Sequence, residues 1–467
     1  MGELWRADAV ELVASIRAGA VSPLDVAEAV IGRIEEENEG VNAIVAWDPE
    51  RLRARAQSLE KARRTSGDSL PPLFGVPVTI KDLSPAAGLP FTFGLPSHRG
   101  VVAETDALIV RRLVRDGAMI VGKTNTSEAG YCALARNGLF GPTENPWRRG
   151  MTTGGSSGGA AAAVAMGFGP LASGSDGAGS IRIPASLCGV VGLKPTRGFV
   201  PFESALWTEV ASDGPIGRSV ADVALMLATL RGYDRMDPFG CMEEPSGSAG
   251  TRLGELGRLR IGLVRDFGLA PVDDAVWASV ERAAARLDAL GARVQPLELD
   301  WTGAAEGMWG AHWLPLYAQF AETCDWEAER QTVEPELSAL VAEARQLSAR
   351  DQAKALLRCR ELAVAFAATM EEFDVLLSPT TCTTAFPHCQ FAPDHLAGST
   401  LQEQLLGWFL TYPFNILGAP ALSVPVEAAP TGLPVGLQVV ADRGLDDLVL
   451  AVGAAIESTA PRKVCWE

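Results

Sequence analysis

Apolar residues recur at helical spacing in VELVASI (10–16) and VAEAVIGRIEEE (26–37), and Ser22-Pro23 stands before the second run as a helix start. Residues 1–65 therefore read as helices. Ser66 to Pro72 is polar, carries Gly and Pro, and reads as a linker. From Pro77 the pattern changes, because VPVTI (76–80) is a short β-branched run typical of a buried strand. A helix over 104–117 followed by a strand at AMIVG (118–122) gives the alternation of an α/β sheet. Residues 150–198 are rich in Gly, Ser and Ala, yet the apolar runs AAAAVAMGF (160–168) and LCGVVGL (187–193) mark folded elements turned tightly. Helices are expected over 216–232 and 272–291, with a loop at 236–255 and a strand at 259–267 between them. Residues 302–372 read as mostly helical, a candidate cap, before a strand at FDVLLSPTT (373–381). ALSVPV and PVGLQVVA, separated by PTGLP, predict a hairpin in the central sheet.

Composition narrows the function classes. The chain has 467 residues and a formal net charge of −17, which repels a phosphate backbone. The arginines at 51, 53, 55, 63 and 64 are interleaved with Glu50 and Glu60 and read as a solvated helix face. Eight cysteines are scattered with no CxxC pair, which argues against a disulfide framework. The four histidines include no HxxxH pair, and His388-Cys389 lacks further ligands at suitable spacing, so no metal is expected. The N-terminus lacks the basic start and apolar stretch of a signal peptide. No window approaches 18 uncharged apolar residues, so no membrane span is expected and the cytoplasm is the default location.

Two segments carry candidate chemistry. Residues 117–124, GAMIVGKT, match the phosphate-binding pattern GxxxxGK[ST] and raise the alternative of an ATP-binding protein. The physics opposes it: the residues between the glycines are themselves an apolar strand, and cannot wrap their N–H groups around a phosphate. The second segment begins at TGGSSGG (153–159) and continues at SDGAGS (175–180). A serine after a glycine-rich turn, with several backbone amides around it, suits a nucleophile and an oxyanion hole. The same loops are also consistent with plain tight turns. No histidine lies near them in sequence, but a lysine serves as base if burial makes its neutral form accessible. Lys81 ends the VPVTI strand. It is either such a base or the partner of the adjacent Asp82.

GVPVTIKD (75–82), GKTNTSE (122–128), NPW (145–147), GGSSGG (154–159), SDGAGSIRIPASLCGVVGLKPTRG (175–198) and GPIGRSVADVALML (214–227) resemble the amidase signature family in order and spacing. SPTT (378–381) and LPVGLQVV (433–440) resemble it too, whereas 235–370 shows little likeness. The resemblance implies an α/β amidase-signature fold, a central mixed β-sheet flanked by helices with a helical variable cap region. It implies one amidase domain over 1–467: an N-terminal helical part (1–65), a signature core (66–232), a variable cap region (233–372) and the C-terminal part of the core (373–467).

By motif the family's Ser–cis-Ser–Lys trio falls on Ser180, Ser156 and Lys81, with a cis peptide between Gly155 and Ser156. Gly177, Ala178 and Gly179 fall on the oxyanion and substrate-binding loop, and Asp176 and Arg182 on a bracing pair. The implied reaction is hydrolysis of a carboxylic amide through a Ser180 acyl-enzyme. It needs no cofactor or metal and has a small-molecule amide as its partner. Nucleic acid and membrane are not implied, and a homodimer is left open. The alternative within the family is the glutaminase subunit of a tRNA-dependent amidotransferase.

Two departures stand out. Ala178 replaces the first of two usual glycines, and its methyl is expected to narrow the loop or limit its φ; a non-catalytic relative is the reading it raises. Thr153 stands where proline is common. Trp309, Trp313 and Tyr317, spaced four apart, either line an apolar acyl or aryl pocket or pack a cap helix, and Pro315 interrupts that helix reading.

Overall fold

A computed structural model describes residues 3–66, 70–241, 253–459 and 463–466. Parts of the expected linker (67–69) and of the expected loop at 236–255 (242–252) lie outside the described residues.

Eleven strands form one mixed sheet. They are β1 (Ile44–Trp47), β2 (Pro77–Lys81), β3 (Met119–Thr124), β4 (Leu171–Asp176), β5 (Val191–Lys194), β6 (Ser212–Gly217), β7 (Arg260–Leu263), β8 (Arg293–Pro296), β9 (Val375–Pro379), β10 (Ala421–Pro425) and β11 (Gly436–Val440), in the order β1-β3-β2-β4-β6-β5-β10-β11-β9-β7-β8. β2 runs parallel to β3 and β4, and β10 and β11 form the expected antiparallel hairpin. The signature core and the C-terminal part of the chain meet where β10 pairs with β5.

Helices cover both faces. Ser22 caps Pro23–Val41 by accepting from the Asp25 N–H at 3.0 Å, with Pro23 in the first turn where its missing N–H is no loss. The alanine-rich run is the helix Gly158–Met166, in which every residue is buried. Small residues are required there, because a Cβ on Gly159 would collide with the Asn125 backbone. Residues 1–65 are not wholly helical, since β1 pairs antiparallel with β3. The stretch 233–372 likewise contributes β7 and β8 to one edge of the sheet besides its helices.

Pro315 is accommodated. A π-helical stretch, Met308–Trp313, precedes the helix Leu314–Glu322, so the proline falls in that helix's first turn. Among the described residues no helix is long and apolar enough to cross a membrane.

Candidate active site

Lys81, at the end of β2, is 1% exposed. Its Nζ lies 2.7 Å from Ser156 Oγ, 3.0 Å from Ser175 Oγ and 3.4 Å from the Ser175 carbonyl. Burial pushes the Lys81 ammonium down to about 7, against the pull of the Asp213 and Asp176 carboxylates. Asp213 stands directly opposite Ser175 in the β4–β6 register. Burial pushes its carboxyl up, against the Lys81 charge.

Asp82 does not pair with Lys81. It takes Lys123, whose Nζ is 2.9 Å from Asp82 Oδ1, 2.7 Å from the Ser84 carbonyl and 3.2 Å from that of Pro90. The Thr92 hydroxyl also donates to Asp82. Lys123 belongs to β3, and all six residues of that strand are buried. The phosphate-motif residues are therefore a sheet strand whose lysine is spent on an internal ion pair.

Ser156 follows a cis Gly155–Ser156 peptide just before the helix Gly158–Met166. A Cβ at Gly155 would run into the Leu134 backbone, so the glycine is a steric requirement. The neighbouring Ser157 turns its Oγ to the Ser175 carbonyl at 3.3 Å and donates its N–H to the Ser180 carbonyl at 3.1 Å.

Ser180 sits in the turn between β4 and the helix Arg182–Cys188 and is 8% exposed. Asp176 and Arg182 brace this turn from within. The guanidinium donates from Nε to Asp176 Oδ2 at 3.0 Å and from Nη2 to Oδ1 at 2.8 Å, and both residues are fully buried. Burial pushes the Asp176 carboxyl up, but Arg182 and Asn415 outweigh it and hold it down at about 2. Arg182 also donates to the Thr411 carbonyl, Gln438 Oε1 and Asn415 Oδ1.

Ala178 does not strain the loop. Left-handed backbone falls on Gly179, at φ +135°, where a Cβ would collide with the Thr411 hydroxyl. Ala178 is not among the positive-φ residues, and its carbonyl accepts from Thr411 Oγ1 at 2.5 Å. The N–H groups of residues 177–180 donate to no protein acceptor among the described residues.

Ser180 opens on a small, narrow cavity whose walls include Tyr131, Cys132, Trp313, Leu405, Leu406 and Phe409. Among the described residues no charged side chain lines it. Of the aromatic trio, only Trp313 reaches it. Trp309 Nε1 donates to Glu343 at 2.7 Å, and the Tyr317 hydroxyl donates to the Ala129 carbonyl at 3.2 Å, so these two pack the helices. No group of three or more His, Cys, Asp or Glu among the described residues is gathered as metal ligands would be.

A family model described as Amidase matches residues 25–450. The chain belongs to the amidase signature family. It is similar to an acylamidase of Rhodococcus erythropolis, at 42% identity over 97% of this chain and 95% of that one. It is also similar to a glutamyl-tRNA(Gln) amidotransferase subunit of Acidothermus cellulolyticus, at 34% identity over 98% of this chain and 95% of that one. Its structure resembles that of a bacterial aryl acylamidase of the family, with a TM-score of 0.88 and 29% identity over 97% of this chain and 96% of that one. The α/β sheet described above is thus the amidase-signature fold, and the protein is an amide-hydrolysing enzyme.

Several contacts around Ser180 carry no signal in the sequence. Ser175 and Asp213 meet Lys81 only through strand register. Thr411 and Asn415 reach the Ser180 turn from more than 200 residues away. A pairing pattern between β4 and β6 is the one signal that would have found Asp213.

Proposed function

We propose that Ser180 is the nucleophile, relayed through Ser156 to Lys81, and that the enzyme hydrolyses amides with an apolar acyl or aryl group. Neutral Lys81 accepts the Ser156 proton as Ser156 accepts that of Ser180. Ser180 Oγ bonds to the amide carbon, and the N–H groups of residues 177–180 receive the oxyanion. The C–N bond then breaks, and the proton held by the relay goes to the leaving amine through Ser156. Water attacks the ester by the same route in reverse, releasing the acid and restoring Ser180.

The observation that carries this reading is the 2.7 Å contact from a fully buried Lys81 Nζ to Ser156 Oγ, with Asp82 engaged elsewhere. The apolar walls of the cavity favour an uncharged acyl group. Glutamine, with its ammonium and carboxylate, finds no counter-charge there, which weighs against the glutaminase alternative. The 42% likeness to an acylamidase supports the same choice. The test is a panel of purified amides: aliphatic amides, anilides, an arylacetamide and glutamine. Turnover of the apolar amides with little release of ammonia from glutamine is expected. Efficient glutaminase activity with inert apolar amides would reverse the assignment.

A further inference from the structure

A carboxylate network beside the Ser180 cavity plays no part in the chemistry above. Glu334 stands immediately before the helix Pro335–Ala344, in the stretch whose sequence has little family likeness. Its Oε2 accepts from the Tyr131 hydroxyl at 2.5 Å, and its Oε1 accepts from Arg136 Nε at 2.9 Å. Its own N–H donates to Glu128 Oε2 at 2.7 Å, and the other oxygen of Glu128 accepts from the Gly138 N–H at 3.1 Å. Glu334 is thus tied to the 128–138 segment through both its side chain and its backbone.

That segment carries one wall of the cavity. The Tyr131 ring is wholly buried, lines the cavity, and stacks on Phe391 with centroids 6.2 Å apart and planes 17° from parallel. Arg136 extends the tie to the segment that carries Phe391, donating from Nη1 to the His388 carbonyl at 3.1 Å. A buried phenol hydroxyl needs an acceptor, and one fixed carboxylate oxygen holds the ring in one orientation.

We infer that Glu334 is a positioning residue for acyl-group recognition: through Tyr131 it sets the shape of the wall against which the substrate's acyl group packs. The inference rests on the apolar-acyl reading of the cavity. A brace of this kind gives most to a substrate that reaches the wall and little to one that stops short of it. A purely stabilising role would affect both alike.

The test compares two 4-nitroanilides with the same leaving group, one acetylated and one phenylacetylated, on the full chain. Glu334→Ala is expected to raise KM for the phenylacetyl anilide by about tenfold or more, while the acetyl anilide changes by less than about threefold. Tyr131→Phe, which removes only the hydroxyl, shifts the same ratio in the same direction by less. Glu334→Gln, which still accepts from the phenol, falls nearer wild type. If Glu334→Ala does not fold, Tyr131→Phe decides alone. A KM ratio within about twofold of wild type, one that moves the other way, or a fall in kcat shared by both anilides overturns the inference. Wild-type turnover of the phenylacetyl anilide is the control: its absence sinks the apolar-acyl reading, a result distinguishable from an unchanged ratio.

Discussion

Lys81 ends β2 and Lys123 is the last residue but one of its parallel neighbour β3, and each is at most 1% exposed. Their roles part at Asp82, which the sequence places beside Lys81 and the fold gives to Lys123. Lys81 is left with two serine hydroxyls and a carbonyl. A base must be neutral to accept a proton, and burial sets that group at about 7, so kcat/KM is expected to rise with pH through about 7 and level off above it. Lys81→Arg should lose turnover by roughly 10²–10⁴-fold, because a guanidinium cannot be deprotonated in this range. Near-wild-type turnover in that variant would leave Lys81 a structural cation. Asp213 faces the same ammonium and favours its charged form, with Asp176 acting in the same sense. Removing that charge in Asp213→Asn is therefore expected to move the rising limb to lower pH; a limb that stays put or moves up would show that Asp213 does not act on Lys81. Lys81, Ser156 and Ser180 are legible in the sequence because each lies in a short contiguous motif. Ser175 shares the Ser180 motif, but its contact with Lys81 is not legible, and neither are Asp213 and Thr411, because strand register and long-range packing bring them in.

Strands built of short apolar runs, such as β2, β3 and β9, are readable from local pattern alone. β6 is not, because SDGPIG carries two glycines and a proline that signal a turn; only pairing on both sides makes it a strand. β1 is four residues between long helices, too short to show a pattern of its own. Next to Ser180, the left-handed requirement falls on Gly179 rather than on position 178, which explains why alanine fits there. The β3 element carries the clearest prediction at this scale. Lys123→Ala strands a buried Asp82 and should destabilise the fold by about 3–5 kcal/mol in chemical denaturation. ATP should leave the melting temperature of the wild type unchanged. A clear ATP-dependent rise that disappears in a Lys123 variant would restore the phosphate-binding alternative.

At the scale of the molecule, the sheet interleaves both ends of the chain. β4, which leads to Ser180, pairs through β6 and β5 with the C-terminal hairpin. Asn415 and Gln438 then reach back to hold Arg182 beside the Ser180 turn. Such long-range dependence explains why the motif-rich stretch 66–232 is readable and its supports are not. It also means that the Ser180 turn is held by residues from both the signature core and the C-terminal part of the chain. The most direct measurement is covalent. The intact enzyme is treated with a fluorophosphonate, weighed, digested and mapped by mass spectrometry. One adduct is expected, on Ser180, absent from Ser180→Ala and slowed in Lys81→Ala, with Ser180→Ala folded but inactive. An adduct on Ser157 with Ser180→Ala still turning over amide would contradict the account.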